Sequence, residues 1–99
     1  MANYKFTKCA LKDLSSIWDY TVDTWSEKQA DIYYRLIIDT CEELANKPAL
    51  GKDYSEIFPN LKGQITSKHI IFYREIDNNT IEITRILHGK MDLKNKLKK

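Results

Sequence analysis

The stretch that decides the fold runs from His69 to Asp92 and reads HIIFYREIDNNTIEITRILHGKMD. Two segments rich in isoleucine, aromatic residues and threonine flank Asn78-Asn79, and asparagine tolerates the positive φ angles that a two-residue type I′ turn requires. Strands are therefore predicted over residues 69–76 and 81–87, joined as a β-hairpin. A His-Gly-Lys-Met-Asp segment follows and leads into a lysine-rich end.

The register of this hairpin follows from its turn. With the two asparagines as turn residues, His69 pairs with His88 and Glu75 pairs with Glu82. Like charges directly opposite each other destabilise an antiparallel pair. Either this end of the hairpin is exposed to solvent, or its register is shifted by one residue.

Two arginines and two histidines lie among apolar residues of these strands, at Arg74, Arg85, His69 and His88. Burying such groups without partners is costly, so they indicate a candidate site. The arginines either bind an anionic group through two parallel hydrogen bonds or pair with acidic residues of other elements. The histidines either bind a metal or transfer protons, or they have a structural or partner-contacting role. The lack of a nearby cysteine or matched carboxylate favours the latter.

Upstream of the hairpin, hydrophobic periodicity predicts a short strand and a first helix. Residues 3–7 alternate apolar and polar side chains, as a strand does. A helix is predicted from about Ala10 to Thr24, because apolar residues recur there at three- and four-residue steps. This apolar stripe comprises Leu11, Leu14, Trp18, Val22 and Trp25.

A second helix is predicted from Glu27 to about Asn46. Ser26 and Gln29 have the spacing of a capping box, in which the hydroxyl accepts a hydrogen bond from a free backbone N–H, and Pro48 ends the helix. The gap of two or three residues between the helices predicts an antiparallel helical hairpin. The apolar stripe of this helix comprises Ala30, Tyr33, Tyr34, Ile37, Cys41 and Leu44.

These elements predict an α+β fold in one domain. Residues 47–60 contain both prolines and form the only long loop, and a third strand is predicted over residues 61–66. The expected order is an N-terminal strand, an antiparallel helical hairpin and a three-stranded antiparallel meander. The domain is assigned to residues 1–93 and a lysine-rich C-terminal tail to residues 94–99.

Composition narrows the classes of protein. With 99 residues, of which 42% are hydrophobic, the chain is long enough for one compact core. No apolar run approaches the roughly 18 residues that span a bilayer, and no apolar block follows the first charges as it does in a secretory signal. A cytoplasmic protein without membrane contact is therefore expected.

Charge is distributed unevenly along the chain. Residues 1–60 carry 7 Lys and Arg against 10 Asp and Glu, a net charge of −3, whereas residues 61–99 carry 9 against 4, a net charge of +5. A basic C-terminal third favours an acidic partner such as nucleic acid, a nucleic-acid enzyme or an acidic protein. For the tail alone, the alternative is a solvated, lysine-rich end.

Known catalytic patterns are missing from the sequence. It contains no GxSxG, P-loop, HExxH or glycine-rich phosphate-binding motif. The only cysteines, Cys9 and Cys41, are far apart and form no CxxC pair. Neither a metal site nor a cofactor is therefore expected.

A series of motifs nevertheless follows the order and spacing of a known family. In chain order they are Ala10-Leu11-Lys12-Asp13-Leu14 with Ile17 and Tyr20, Trp25-Ser26 with Gln29-Ala30 and Tyr33, Leu44-Ala45 with Pro48 and Gly51, His69-Ile70-Ile71-Phe72-Tyr73-Arg74, and Arg85-Ile86-Leu87-His88 with Met91-Asp92. Over residues 4–93 the chain thus resembles the ParE branch of the RelE/ParE superfamily, the toxins of bacterial type II toxin–antitoxin modules.

The resemblance implies that two N-terminal helices pack on one face of an antiparallel sheet and that a cognate, usually ParD-like, antitoxin silences the protein. It implies a non-enzymatic toxin that inhibits DNA gyrase and meets operator DNA only through the antitoxin. The residues expected to bind the target and cause toxicity are Arg74, Arg85, His88, Lys90, Met91 and Asp92.

The antitoxin is expected to lay the apolar side of an amphipathic helix into a groove bordered by the two helices and the sheet. Candidate contacts are Trp18, Trp25, Tyr33 and Tyr34. Core packing explains their helical spacing equally well, but Trp25 is expected to be partly exposed at the outer end of the helical hairpin.

Two other functions remain open. The RelE branch cleaves mRNA on the ribosome, which requires a general base, a general acid and cations around the phosphate, and such nucleases typically carry a tyrosine or histidine close to the C-terminus. Here every tyrosine precedes residue 74, so a nuclease would depend on His88 with Arg85 and Arg74. The third hypothesis is an inactive homologue that acts only in an antitoxin–operator complex.

Overall fold

The computed structural model describes residues 2–89, which form two helices and a five-stranded sheet. The helices are α1 (Lys8–Thr24) and α2 (Glu27–Asn46), and a 3₁₀ turn follows at Pro48–Leu50. The strands are β1 (Asn3–Phe6), β2 (Lys52–Asp53), β3 (Lys62–Thr66), β4 (His69–Asp77) and β5 (Thr80–His88). Their order in the sheet is β1-β5-β4-β3-β2.

The α+β fold class is confirmed, and so are the helical hairpin and the antiparallel meander of β3, β4 and β5. The predicted N-terminal strand is also confirmed, as β1, and β2 is the one strand that the prediction lacked among residues 2–89. β1 pairs in parallel with β5, and β2 pairs antiparallel with β3. The prediction of an uninterrupted loop over 47–60 was therefore wrong at Lys52–Asp53, because a strand of two residues is too short to show alternation.

Both faces of the sheet carry a buried cluster. The helices cover one face, where α1 and α2 pack against β4 and β5; the buried residues there include Leu14, Ile37, Leu44, Ile71, Tyr73 and Ile83. The opposite face is smaller, and the segment before β3 covers it; Leu61, Ile70, Phe72 and Leu87 are buried there, with Tyr54 and Ile57 packed against them.

The helix starts follow from their caps. The Ser26 hydroxyl accepts a hydrogen bond from the backbone N–H of Gln29 at 3.0 Å, which confirms the predicted cap of α2. α1 begins at Lys8, two residues before the predicted start, because the Thr7 hydroxyl accepts a hydrogen bond from the backbone N–H of Ala10. The same hydroxyl donates to the carbonyl of Thr84 at 2.8 Å and so ties the start of α1 to β5.

α1 buries a different face from the one that its apolar periodicity predicted. Its buried residues are Ala10, Leu14 and Thr21, whereas Leu11 and Trp25 are 52% and 68% exposed. Small side chains on the buried face allow close packing on the sheet, and Thr21 satisfies its hydroxyl by donating to the carbonyl of Ile17. The predicted stripe was thus right at Leu14 and wrong at Leu11, whereas the exposure of Trp25 agrees with the partial exposure expected for it.

A β-bulge corrects the predicted hairpin register. The predicted pairs hold from His69 opposite His88 as far as Phe72 opposite Arg85, and Thr84 then has no partner in β4. Such an extra residue shifts the next pairs by one position, as far as Glu75 opposite Ile81. A second irregularity between Glu75 and Asp77 restores the register, so that Asp77 lies opposite Thr80 as the simple register requires. The Thr84 hydroxyl donates to the Phe72 carbonyl at 3.1 Å, so its side chain remains hydrogen-bonded in the bulge.

The shift removes the unfavourable pair that the simple register required. Glu75 lies opposite Ile81 instead of Glu82, and Arg74 lies opposite Glu82. Arg74 Nε is 3.2 Å from the Glu82 carboxylate, so an opposite-charge pair stands where two like charges were predicted.

Over residues 2–89, neither helix combines the length and the apolar character that a membrane crossing requires.

Candidate functional site

A cleft of about 830 Å³ opens beside the paired ends of β4 and β5, where His69 and His88 face each other. Its walls are α1, the start of α2, the turn between β3 and β4, and the last residues of β5. We call this depression the cleft. It is lined among others by Ile17, Tyr20, Trp25, Tyr33, His69 and His88.

The helical wall of the cleft is aromatic and open to solvent. Tyr20 and Trp25 are each 68% exposed, and Ile17 lies on the same wall. The expected exposure of Trp25 is therefore confirmed. Exposed aromatic side chains that line a concave surface combine a large apolar area with a polar tip, which is the composition of partner-binding sites.

The sheet end of the cleft holds a chain of polar rings. The Tyr33 hydroxyl is 2.6 Å from His69 Nδ1 and 3.3 Å from the carbonyl of Thr66. The rings of His69 and His88 meet edge to face with centroids 5.3 Å apart. The structure thus brings both predicted histidines into one site with Tyr33, which the sequence had placed on an antitoxin surface.

Burial and charge determine the protonation state of this group. Desolvation, with a smaller effect of His88, lowers the pKa of His69 from 6.5 to about 4, so its ring is neutral at pH 7. Desolvation also raises the pKa of Tyr33. Within residues 2–89, no three His, Cys, Asp or Glu side chains are grouped so that they could hold a metal ion.

Arg85 is paired with an acidic residue of α1. Its Nε and Nη2 donate to the two carboxylate oxygens of Asp13 at 2.7 and 3.0 Å, and the backbone N–H of Ile86 donates to the same carboxylate at 3.0 Å. Of the two interpretations of Arg85, the structure therefore supports pairing with a helix. Arg85 and Asp13 both line the cleft, so this ion pair forms part of its lining.

Arg74 lies apart from the cleft. Its partner is Glu82, and both side chains are partly exposed. Arg74 lies five positions along β4 from His69, which corresponds to about 16 Å at the usual rise per residue. Arg74 and His88 are therefore not brought together in one site.

Trp18 and Tyr34 form a second, shallower depression between the helices. Their rings meet edge to face at 6.1 Å, and Leu11, Leu14 and Asp31 line the same depression. It lies on the other side of α1 from the cleft. The four aromatic residues predicted for antitoxin contact therefore divide into two pairs, Trp25 with Tyr33 and Trp18 with Tyr34.

Three further predicted site residues, Lys90, Met91 and Asp92, lie outside the described residues. Conversely, Asp13, Tyr20 and Lys68 line the cleft but were not singled out as site residues. Asp13 and Tyr20 belong to the first motif of the series, so a signal for them existed. Lys68 lies in a two-residue turn and has no periodic context that would have marked it.

Comparison with known proteins assigns the family. The family model described as the ParE toxin of the type II toxin–antitoxin system parDE matches residues 4–93. The chain belongs to this ParE toxin family. Its membership confirms the resemblance drawn from the motifs, and with it the assignment as the toxin component of a type II toxin–antitoxin system.

Individual relatives agree with the family assignment. The chain is 33% identical over 92 residues to Toxin ParE1 of Mycobacterium tuberculosis, covering 93% of this chain and 94% of that protein. It is 31% identical over 97 residues to Toxin ParE of Escherichia coli, covering 98% and 94%. Both alignments span nearly the whole of each protein.

A solved structure shares the fold. The structure of a chromosomal ParDE TA system from P. aeruginosa superposes with a TM-score of 0.74 at 21% sequence identity, covering 89% of this chain and 96% of that chain. The likeness places the strand, the helical hairpin and the sheet of this protein in a fold that a ParDE protein also adopts.

Proposed function

We propose that this toxin inhibits DNA gyrase by binding it and that a ParD-like antitoxin neutralises it. Membership of the ParE family is the observation that carries the proposal. The structural relative from P. aeruginosa is itself described as a ParDE system, which supports a ParD-like partner. Operator DNA would then be reached only through the antitoxin.

The cleft is the proposed seat of the antitoxin. An amphipathic helix presents apolar side chains at three- and four-residue steps, which suits the exposed wall of Tyr20 and Trp25. The depression at Trp18 and Tyr34 lies on the other side of α1. An antitoxin segment that wraps around α1 would contact both surfaces.

The position of His88 explains how an antitoxin bound in the cleft would neutralise the toxin. His88 lines the cleft, and the proposed target-binding residues Lys90, Met91 and Asp92 follow it directly in sequence. An antitoxin seated in the cleft would therefore lie beside the start of that segment. Arg74, on the exposed part of β4, is proposed as a separate contact to the target.

The test is expression of the toxin alone and together with the product of a neighbouring antitoxin reading frame. We expect growth arrest without the antitoxin, rescue with it, and inhibition of supercoiling by purified gyrase when the toxin is added. Growth arrest with unimpaired gyrase and degraded transcripts would instead identify a ribonuclease. Normal growth on verified expression would identify an inactive homologue.

The ribonuclease has less structural support than the binding toxin. It would require Arg85 and Arg74 near His88, but Arg85 is engaged by Asp13 and Arg74 lies elsewhere on the sheet. The variant His88→Ala separates the two functions. A nuclease that uses His88 would lose toxicity in this variant while it keeps its fold and its antitoxin binding, whereas full toxicity of the variant would argue against the nuclease.

A further inference from the structure

The hydroxyl of Tyr33 lies between two possible acceptors. It is 2.6 Å from His69 Nδ1 and 3.3 Å from the Thr66 carbonyl, and one hydroxyl proton can be donated to only one of them at a time. With His69 neutral, the short contact is satisfied when Tyr33 donates to Nδ1. With His69 protonated, Nδ1–H donates to Tyr33, and the hydroxyl donates to Thr66 instead.

Both protonation states of His69 are therefore fully hydrogen-bonded at this nitrogen. A buried group normally loses a hydrogen bond when its charge changes, and the loss opposes the change. Here the reversal of the Tyr33 hydroxyl removes that penalty. What opposes the charge on His69 is its desolvation, followed by the effects of His88 and Lys68, while the Asp13 carboxylate favours the charge.

The surroundings of His69 contain more positive than negative groups. The charged groups are Arg85 from β5, Lys68 from the β3–β4 turn and the carboxylate of Asp13 from α1. The imidazole of His88 lies beside His69 on β5. From α2 the titratable group is Tyr33. The Asp13 carboxylate already accepts three hydrogen bonds from Arg85 and Ile86, so its charge is largely compensated within the protein.

We infer that His69, His88 and Lys68 form an oxyanion subsite at the sheet end of the cleft, and that it receives a carboxylate side chain of the bound partner. This inference rests on the proposed function insofar as it takes the cleft to be the partner's seat. The partner segment then combines apolar residues, for the wall of Tyr20 and Trp25, with an acidic residue at the histidines.

Proton uptake follows from this arrangement. An anion beside His69 favours its charged form and raises its pKa, while the hydroxyl of Tyr33 reverses as described. Because linkage is reciprocal, protonation of His69 strengthens anion binding by the same factor. Binding of the partner in mildly acidic solution is therefore accompanied by uptake of a proton.

The first test uses the free toxin, in which His69 and His88 are the only histidines. The ring signals are followed by NMR during a pH titration in sodium sulfate and in sodium chloride of equal ionic strength, with sulfate as the probe oxyanion. We expect the pKa of His69 to be higher in sulfate by one unit or more, which corresponds to about tenfold tighter binding to the protonated form. An equal pKa in both salts overturns the subsite.

Two variants that each remove one lysine charge show where in the protein the effect of sulfate on the pKa arises. Lys68→Gln is expected to reduce the difference between sulfate and chloride, whereas Lys47→Gln, at the far end of α2, leaves it unchanged. Tyr33→Phe removes the reversible hydroxyl and is expected to lower the pKa of His69 in both salts. A loss of the sulfate effect in Lys47→Gln as well would attribute it to general screening and overturn the subsite.

The second test uses the complex with the antitoxin. Titration calorimetry at about pH 5, close to the raised pKa expected for His69 in the complex, gives the number of protons taken up on binding when it is performed in two buffers of different ionisation enthalpy. We expect uptake with the wild type and none with His69→Gln. Binding of the wild type without proton uptake would contradict the inference that the partner places a carboxylate in the subsite. A failure to bind contradicts the proposed function instead, while the sulfate titration still decides whether the subsite exists.

Discussion

Asp13 joins a helix to the sheet through a single carboxylate. It accepts two hydrogen bonds from the Arg85 guanidinium and one from the backbone of Ile86, and the pair is only partly exposed. Bidentate geometry and partial burial make such a pair stronger than an exposed one. Asp13 therefore helps to orient α1 on β5, and with it one wall of the cleft.

Replacing Arg85 or Arg74 by lysine measures how much more the partly buried ion pair stabilises the protein than the exposed one. Arg85→Lys keeps the charge but loses the two parallel hydrogen bonds, and we expect the free energy of unfolding to fall by about 1–2 kcal/mol. The matched variant Arg74→Lys alters an exposed pair with Glu82 and is expected to cost less than about 0.5 kcal/mol. Urea denaturation compares them. Equal losses would contradict the special role of the Asp13–Arg85 pair.

At the scale of elements, Tyr73 of β4 holds the segment that follows α2 through two hydrogen bonds. Its buried hydroxyl donates to the carbonyl of Pro48 at 2.7 Å and accepts from the backbone N–H of Gly51 at 2.9 Å. A Cβ atom at position 51 would overlap that hydroxyl, so glycine is the residue that fits there. Pro48 and Gly51, which belong to the third motif of the series, thus both bind the hydroxyl of Tyr73.

Removal of the Tyr73 hydroxyl tests how much these two hydrogen bonds stabilise the protein. Tyr73→Phe leaves the Pro48 carbonyl and the Gly51 N–H without this partner, so we expect the free energy of unfolding to fall by about 1–3 kcal/mol. Tyr20→Phe, which removes a hydroxyl from a side chain 68% exposed, serves as the control and is expected to be near neutral. A neutral Tyr73→Phe would show that water replaces the lost hydrogen bonds.

The bulge at Thr84 decides which side chains share a face of the hairpin. A shift of one residue moves later side chains to the other face, and Ile81 and Ile83 are thereby buried with Ile71 and Tyr73 beneath the helices. Without the shift, Ile83 would face the same side as Phe72. The bulge therefore builds the helix-covered core and pairs Arg74 with Glu82 at the same time.

At the scale of the molecule, the cleft forms where the helical hairpin, the β3–β4 turn and the end of β5 meet. One prediction concerns its aromatic wall. Trp25→Ala should weaken antitoxin binding by about 30-fold, as truncation of an aromatic anchor commonly does, with unchanged thermal stability. Ile65→Ala, at an equally exposed site on β3 outside the cleft, is the control. Equal affinities of both variants would place the antitoxin elsewhere.

A second molecular prediction concerns acid. His69 has a pKa of about 4 in the folded protein and an ordinary value of 6.5 when unfolded, so the unfolded state binds more protons between these values. Its contribution to stability is present above pH 6.5 and is lost as the pH falls towards about 4. We expect the free energy of unfolding of His69→Gln to decline less than that of the wild type over this range. Parallel curves would contradict the lowered pKa.

Local sequence signals determined much of this protein. The turn at Asn78-Asn79, the cap at Ser26 and the periodicity of α2 specify their elements through interactions a few residues apart. The motif series by itself indicates the ParE family. The imidazole pair of His69 and His88 was also predicted, because it lies on the side of the bulge where the simple register still holds.

Only the tertiary structure decided which faces are buried and which groups meet. The core face of α1, the parallel strand β1 and the pairing of Arg85 with Asp13 join residues that are far apart in sequence, and local periodicity contains no information about such contacts. The cleft likewise depends on how four elements converge. For that reason the sequence identified the histidines and Trp25 separately, whereas the packing of α1 and α2 against the sheet makes them walls of one site.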